Sequence, residues 1–275
     1  MNFKKTVKNL TLTLLGLDPG FMKLYYRFFY RPKAGSIAQI MEERAKDISE
    51  FYFLQIGGND GFVNDPIFKL VKRLSWKGII VEPQKEVFTK KLSKTYRFEK
   101  NTILENIAIA EKTGVKQLYK LGFTNSRWAT GLATFNCDTL QYQIDRNYVS
   151  DMARKEGIPL PENKDDYIVT EEVNCSTIHD LLAKHHVKKL DLLQIDTEGF
   201  DYEIIKNIDF SSVKPAMISF ENDHLSESDI MECEELLTSN GYSVEHIGVD
   251  SIALLDIEPN KEQKTSQMSL DKIEA

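Results

Sequence analysis

From residue 51 onward, short apolar runs alternate with amphipathic stretches. The apolar runs are predicted strands, because near-continuous apolar segments of about four to eight residues are typical of strands that are buried on both faces. These predicted strands are residues 51–56, 78–83, 103–110, 190–195 and 216–220. The predicted helices between them are residues 65–74, 86–96, 202–208 and 226–239. The alternation predicts an α/β fold with a doubly wound, mostly parallel sheet.

Two last strands, 242–247 and 251–255, are separated by a tight Gly248-Val249-Asp250 turn, which predicts an antiparallel pair. The pattern divides the chain into several predicted segments. They are a helical N-terminal extension (1–50), a main domain (51–258) and a polar tail (259–275). Residues 120–171 are too long for an ordinary connection, so we expect them to form an insertion that serves as a lid or substrate platform.

Residues 21–33 combine six aromatic side chains with four basic ones. This composition is typical of a helix that lies at a membrane interface. It is also typical of an amphipathic helix that packs on its own domain or against a second copy of the chain. The sequence leaves these alternatives open.

The composition narrows the classes of partner and compartment. The chain has 35 basic and 42 acidic residues and a formal charge of −7, which disfavours nucleic-acid binding. Its three cysteines are far apart in sequence and predict reduced thiols. The sequence also lacks the roughly 18 to 20 consecutive apolar residues of a membrane span. We therefore expect a cytoplasmic protein, with residues 21–33 as the contact if it associates with the inner face of the membrane.

The first predicted strand ends in a turn rich in glycine, Gly57-Gly58-Asn59-Asp60-Gly61. Glycines let a ligand approach the backbone closely. Glu82 ends the next strand about 20 residues later, where a carboxylate can accept both hydroxyls of an adenosine ribose. The G-x-G-x-x-G fingerprint of dinucleotide sites and the G-x-x-x-x-G-K-[ST] phosphate loop are both missing from the sequence. Together these features favour a nucleoside cofactor.

Polar clusters follow two of the later strands. Asp196-Thr197-Glu198-Gly199 comes after the first, and Glu221-Asn222-Asp223-His224 comes after the second. Carboxyl ends of parallel strands meet at one edge of a sheet, which is where ligands bind in such folds. The clustered side chains could act as a general base, bind substrate by hydrogen bonds, or ligate a divalent ion.

Four segments of this sequence together resemble the FkbM-type methyltransferases, over about residues 51–256. They are Gln55–Gly61, Val81-Glu82-Pro83, Asn106-Ile107-Ala108 and Leu190–Asp201, the last containing the I-D-x-E-G core. The resemblance implies a Rossmann-like class I methyltransferase fold, a seven-stranded sheet with an antiparallel last strand, and S-adenosylmethionine as cofactor. Two positions depart from the family pattern. Gly58 stands where alanine is common, and His179 stands where aspartate is common.

The resemblance also implies which residues bind the cofactor. Gly57, Asn59 and Gly61 would line its methionine part, and Glu82 would hold the ribose. Near the adenine would lie Asn106 and Ala108, and near the sulfonium Asp196. The full implied set is Gln55, Gly57, Asn59, Asp60, Gly61, Glu82, Asn106, Ala108 and Asp196.

Members of this family mostly methylate hydroxyls of sugars, polyketides and other small metabolites. We therefore expect an O-methyltransferase that acts on a sugar, a glycan or a glycan precursor, as in polysaccharide modification. Asp196 and His224 are the candidate bases, since an alcohol must lose its proton. Glu198 and Glu221 are candidate supporting ligands or substrate contacts. Arg127 and Trp128, in the insertion, are candidate contacts for a sugar ring or an acidic group.

Other functions remain open at this point. A nicotinamide-dependent oxidoreductase of Rossmann type would share the glycine turn and the ribose carboxylate, although it has no use for the Asp-x-Glu-Gly cluster. A non-catalytic scaffold could also retain the fold. A requirement for a divalent metal ion is compatible with the carboxylates and is not established by them.

Overall fold

The computed structural model describes residues 19–223 and 225–256, and their side chains from Leu24 onward. His224, the predicted polar tail and the first 18 residues therefore lie outside the described part of the chain. Two helices precede the sheet, α1 (Pro19–Phe29) and α2 (Ile37–Ala45). Ser36 caps α2 by accepting a hydrogen bond from the Gln39 amide.

Seven strands form the main sheet, in the order β3-β2-β1-β7-β8-β10-β9. They are β1 (Tyr52–Ile56), β2 (Lys77–Val81), β3 (Thr102–Glu105), β7 (Leu192–Ile195), β8 (Met217–Glu221), β9 (Tyr242–Ile247) and β10 (Asp250–Leu255). All neighbouring pairs are parallel except those of β10, which runs antiparallel between β8 and β9. The predicted class I methyltransferase architecture is thereby confirmed.

A second, three-stranded sheet was not predicted. It has the order β4-β6-β5 and consists of β4 (Ala108–Ile109), β5 (Gly114–Leu121) and β6 (Ile168–Ser176). The single strand predicted over 103–110 is therefore wrong. The chain leaves the main sheet after β3, and β4 pairs with β6 instead. Asn106 lies at this break, and its side-chain amide donates to the carbonyls of Glu82 and Pro83.

Helices cover both faces of the main sheet. Along the chain they are α3 (Phe68–Leu74), α4 (the contiguous pieces Lys85–Val87, Phe88–Leu92 and Ser93–Thr95, of which the middle one is a π-turn), α8 (Ile178–Lys184), α9 (Asp201–Lys206) and α10 (Glu227–Ser239). α3 begins three residues later than the predicted start at Asp65. The Asp65 carboxylate still accepts from the amides of Ile67 and Phe68, so it orders the approach to this helix.

Between β5 and β6 the chain forms three helices, α5 (Arg127–Gly131), α6 (Cys137–Asp145) and α7 (Tyr148–Glu156). The sequence pattern over 140–155 predicts one continuous helix. This prediction is wrong, because Asn147 adopts a left-handed conformation with φ of 63° and interrupts it. Asparagine tolerates that region better than most residues. The helices enclose a separate apolar cluster that includes Trp128, Leu140 and Val149.

Two large apolar clusters, one on each face of the main sheet, form its core. α1 and α2 belong to one of them, since Tyr26 and Met41 are buried there beside Phe68. The outer side of α1 is exposed, at Leu24 (55%), Tyr25 (47%), Phe28 (58%) and Phe29 (73%). Across the described residues, every helix is too short or too polar to cross a membrane.

Candidate active site

The glycine turn packs directly against the end of the neighbouring strand β7. Gly57 has a φ of 84°, and a Cβ atom there would lie 1.8 Å from the carbonyl oxygen of Asp196. The amides of Gly57 and Gly58 both donate to the carbonyl of Val81 at the end of β2. Glycine at position 57 is therefore required both by its backbone conformation and by the close approach of the Asp196 backbone. The ends of β1, β2 and β7 thus meet at one point.

Glu82 is buried under this turn and held by three hydrogen bonds. Its Oε2 accepts from the backbone amide of Asn59 at 2.8 Å, and its Oε1 accepts from the backbone and side-chain nitrogens of Gln84 at 2.9 and 3.2 Å. Burial raises the pKa of the carboxyl to about 7, although these hydrogen bonds oppose the shift. A carboxylate has roughly four acceptor positions, and the one that remains is on Oε2. Glu82 can therefore both order the turn and bind a hydroxyl group.

A cavity of about 580 Å³, here the glycine-turn cavity, lies beside Glu82. Four predicted cofactor residues besides Glu82 contribute to its wall. They are Gly57, Asn59, Ala108 and Asp196. Gln84, Thr130, Gly131 and Phe135 complete one side, and Thr130 donates to the Asn59 side chain at 3.2 Å. This mixed apolar and polar lining, which includes the Glu82 carboxylate, suits a nucleoside.

The other four predicted cofactor residues lie behind this wall. Gln55 donates to Asp65, and Asn106 holds the backbone after Glu82. The Asp60 carboxylate accepts from the amides of Phe62 and Val63. A Cβ at Gly61 would approach Leu92 and Tyr96 within 2.7 Å. In this structure these residues shape the turn and its support.

The loop after β7 is tied to the end of β8 by Asp201. One oxygen of this buried carboxylate accepts from the amide and hydroxyl of Thr197, at 3.0 and 2.6 Å. The other oxygen accepts from the amide of Glu221 at 3.1 Å. Burial raises the pKa of Asp201 to about 6. Asp201 therefore sets the spacing between the two acidic strand ends, a role that its place in the Leu190–Asp201 motif does not by itself reveal.

The two strand ends bring three predicted catalytic residues together. Asp196, Glu198 and Glu221 each place a carboxylate oxygen within 4.8 Å of the other two. Burial and the neighbouring carboxylates of Glu198 and Asp201 raise the pKa of Asp196 well above its usual range. A carboxylate with a raised pKa is a stronger base than an ordinary aspartate. The fourth predicted residue, His224, is outside the described residues.

A second cavity, here the carboxylate cavity, opens on the other side of these acids and has a volume of about 1660 Å³. Its wall includes Arg127, Trp128 and Tyr148 from the insertion, and Gln194 from β7. The indole nitrogen of Trp128 donates to Glu156 at 3.2 Å, which orients the ring. Both predicted substrate residues, Arg127 and Trp128, therefore lie on this cavity.

The two cavities share four wall residues, Arg127, Gly131, Asp196 and Glu198. α5 supplies two of them, and the Asp-Thr-Glu-Gly loop supplies the others. Glu198 adopts a left-handed conformation with φ of 54°, an unusual backbone for glutamate. Two ligands bound in the two cavities would thus face each other across Asp196 and Glu198.

Several residues of the cavity walls were not predicted from the sequence. Gln84 follows the ribose carboxylate by two positions, and the polar Gln194 interrupts an apolar strand; both were available signals. No feature of the sequence identifies Thr130 and Tyr148 as site residues, because their position depends on how the insertion folds back over the sheet.

A family profile covers most of the main domain. Residues 55–244 match the profile of the methyltransferase FkbM domain. No curated protein matches the chain significantly. Similar solved structures include a human methyltransferase 10 domain containing protein, with 13% identity and a TM-score of 0.44, covering 94% of this chain and 99% of that chain.

Two further structures have comparable scores. Precorrin-6y C5,15-methyltransferase from Geobacter metallireducens is 11% identical, with a TM-score of 0.39, and the match covers 80% of this chain and 87% of that chain. The SAH-bound Podospora anserina methyltransferase PaMTH1 is 10% identical, with a TM-score of 0.38 and coverage of 94% and 98%. Similarities this distant say nothing about a substrate.

Proposed function

The chain belongs to the FkbM methyltransferase family, and from that premise we propose that it transfers a methyl group from S-adenosylmethionine to a hydroxyl of a sugar, a glycan or a glycan precursor. The observation that carries the proposal is the meeting of the two cavities at Asp196 and Glu198. A nucleoside cofactor in one cavity and an acceptor in the other would meet at a carboxylate. An oxidoreductase or a scaffold has no evident use for that arrangement.

The glycine-turn cavity fits S-adenosylmethionine. Its wall combines apolar side chains with polar groups, as small-molecule sites commonly do. Glu82 would accept a ribose hydroxyl through Oε2, and Ala108 would border the adenine. Asn59 and Gly57 would border the methionine part. Arg127 and Asp196 lie where this cavity meets the second one.

The chemistry required of the protein is positioning and proton removal. Bound S-adenosylmethionine would supply a methyl group activated by positive sulfur, with the neutral thioether as leaving group. Asp196 takes the hydroxyl proton, for which its raised pKa suits it. Fixed positions for both reactants supply much of the acceleration.

A carbohydrate acceptor agrees with the lining of the carboxylate cavity. Carboxylates and amides are hydrogen-bond partners for hydroxyl groups, and the wall contains Gln143, Gln194 and Glu156 besides the central acids. Tyr148 is half-buried there and adds an aromatic face.

The test uses S-adenosylmethionine with a deuterated methyl group and a panel of mono- and disaccharides. Mass spectrometry and NMR of the product should show the label at a new methyl ether. Label found only on nitrogen or carbon would overturn the assignment of O-methylation. In a parallel thermal-shift measurement, S-adenosylhomocysteine should raise the melting temperature and NAD should not.

We also propose that the protein is peripheral to a membrane whose surface is anionic, with α1 as the contact. Leu24, Tyr25, Phe28 and Phe29 form an exposed apolar face on this helix. Arg27, Arg31 and Lys33 lie on or just after the helix, and Lys69 of α3 lies over the Tyr30 ring. This basic and aromatic surface is complementary to acidic lipid headgroups, although the whole chain is acidic.

A further inference from the structure

Three acidic side chains lie close together on the wall of the carboxylate cavity. Asp196, Glu198 and Glu221 come from the ends of neighbouring strands, and their oxygens lie within 4.8 Å of one another. Negative charges this close repel each other unless a proton or a cation lies between them. Acidic clusters are common on protein surfaces, so the cluster alone does not define a binding site.

The side chain of Gln194, on β7, provides independent evidence for a ligand near this acidic cluster. Gln194 is only 4% exposed and lines the carboxylate cavity, yet its Oε1 atom has no hydrogen-bond partner within the described structure. Its Nε2 donates to the carbonyl of Ile195 at 3.3 Å. Side chains two positions apart on a strand share a face, so Gln194 and Asp196 project to the same side of the sheet. A buried amide oxygen without a partner costs about 1 to 3 kcal/mol, which a bound ligand would offset.

The charge of the whole cavity supports a cationic ligand. Its wall contains the carboxylates of Glu156, Asp196, Glu198, Glu221, Asp223 and Asp250, against the guanidiniums of Arg127 and Arg146. Arg127 is itself engaged with the glycine turn, since its Nη2 donates to the carbonyl of Val63 and its Nε lies 3.5 Å from Asp60. The wall therefore retains an excess of negative charge.

We propose that a hard divalent cation, such as Mg²⁺ or Mn²⁺, binds between Asp196, Glu198 and Glu221, with Gln194 Oε1 as a further ligand. Carboxylate and amide oxygens are the ligands that these ions prefer. The remaining coordination positions would face the carboxylate cavity. One oxygen of each carboxylate is enough for ligation.

The role of this ion rests on the proposed function, while its binding does not. An acceptor hydroxyl coordinated to a divalent cation loses its proton more easily, and its oxygen is held in a fixed position. The proton passes to the solvent in the open cavity, because the bound cation lowers the proton affinity of its ligand Asp196, and the oxygen retains the electron pair with which it bonds to the methyl carbon.

The site can be tested directly by titrating the full chain with Mn²⁺. Electron paramagnetic resonance measures the concentration of free Mn²⁺ and therefore the amount bound. Glu221→Gln and Gln194→Leu should each weaken Mn²⁺ binding by about tenfold or more. Asp223→Asn is the matched control, because it removes one negative charge from the same cavity outside the cluster. It should leave the affinity within about twofold.

Two results would contradict the proposed cation site. Equal losses in Glu221→Gln and Asp223→Asn would mean a diffuse attraction and would overturn the site, as would the absence of saturable Mn²⁺ binding to the unmodified chain. Binding of S-adenosylhomocysteine, measured by calorimetry on the same samples, separates this result from the proposed function. A chain that binds S-adenosylhomocysteine and no Mn²⁺ retains its proposed function and loses only the cation site.

Discussion

Glu82 Oε2 accepts a hydrogen bond from the backbone amide of Asn59 at 2.8 Å, so the carboxylate that would bind the ribose also holds the glycine turn in place. Cofactor binding and turn geometry are therefore coupled through one buried side chain. A substitution at Glu82 is therefore expected to change both cofactor binding and the geometry of the glycine turn.

Glu82→Gln should weaken S-adenosylhomocysteine binding by about 10- to 100-fold, because hydrogen bonds to a charged group contribute about 1.5 to 3 kcal/mol. Isothermal titration calorimetry measures this directly. Glu86→Gln is the control, since Glu86 lies at the surface four residues away and pairs with Lys90. Equal affinities of Glu82→Gln and the unmodified chain would contradict the ribose assignment.

The raised pKa of Glu82 predicts a pH dependence of stability. Folding raises this pKa from 4.5 to about 7, so the native state keeps a proton that the unfolded state releases between these values. The free energy of unfolding should therefore fall as pH rises through this window, with a contribution of up to about 3 kcal/mol from Glu82.

Urea denaturation of the unmodified chain and of Glu82→Gln, at pH 5 and pH 8, checks this sign. The difference in stability between the two proteins should change with pH, because glutamine does not titrate. The pH dependence of unfolding free energy that remains in the variant comes from other buried acids such as Asp201, whose pKa is raised to about 6. Identical slopes for both proteins would rule Glu82 out as the source.

Gly57→Ala should destabilise the fold and abolish cofactor binding, because its Cβ would overlap the Asp196 carbonyl. Gly157→Ala is matched in backbone, with φ of 69°, but has open space around it. We expect a loss of about 1 kcal/mol for Gly157→Ala from backbone strain alone. For Gly57→Ala we expect about 3 kcal/mol or more, since overpacking adds to the strain. Similar melting temperatures for the two variants would show that the close approach to Asp196 is unimportant.

The sheet and the placement of its catalytic edge follow from local sequence. Buried parallel strands are continuous apolar runs in the sequence. The residues that follow them lie at one edge of the sheet, wherever the helices pack. The second sheet is different. β5 contains the polar stretch Lys116-Gln117, and its residues pair with β6 residues about 47 to 61 positions later, so no local sequence pattern indicates which segment it pairs with.

The same reasoning explains which site residues could be identified. Glu82 and Asp196 end strands and are visible in the sequence, whereas Thr130 reaches Asn59 only after the insertion has folded over the glycine turn. The resemblance to the family predicts that Asn106 contacts the adenine. In the structure its amide is engaged with the backbone carbonyls of Glu82 and Pro83.

Asp196→Asn should lower kcat by roughly 10² to 10⁴, which is the usual contribution of a general base. The variant keeps the size of the side chain, so the affinity for S-adenosylhomocysteine should change little. Asp138→Asn, at an exposed position in the first turn of α6, should keep full turnover. Full turnover of Asp196→Asn at saturating substrate would eliminate Asp196 as the base.

The exposed face of α1 leads to the last prediction, which concerns vesicle binding. The chain should sediment with vesicles of phosphatidylcholine and phosphatidylglycerol, and much less with phosphatidylcholine alone. Replacing both Phe28 and Phe29 by serine should weaken this binding by about tenfold or more, because each buried phenylalanine contributes about 1.5 to 3 kcal/mol.

Phe98→Ser provides the control for this double variant. Phe98 is 55% exposed and lies beside Arg97, whose guanidinium is 4.7 Å from the ring, much as Arg27 lies 6.0 Å from Phe28. It is distant in sequence from α1, so Phe98→Ser should bind vesicles like the unmodified chain. If the double variant instead changes the oligomeric state and leaves vesicle binding intact, the face contacts a second copy of the chain and the membrane proposal is wrong.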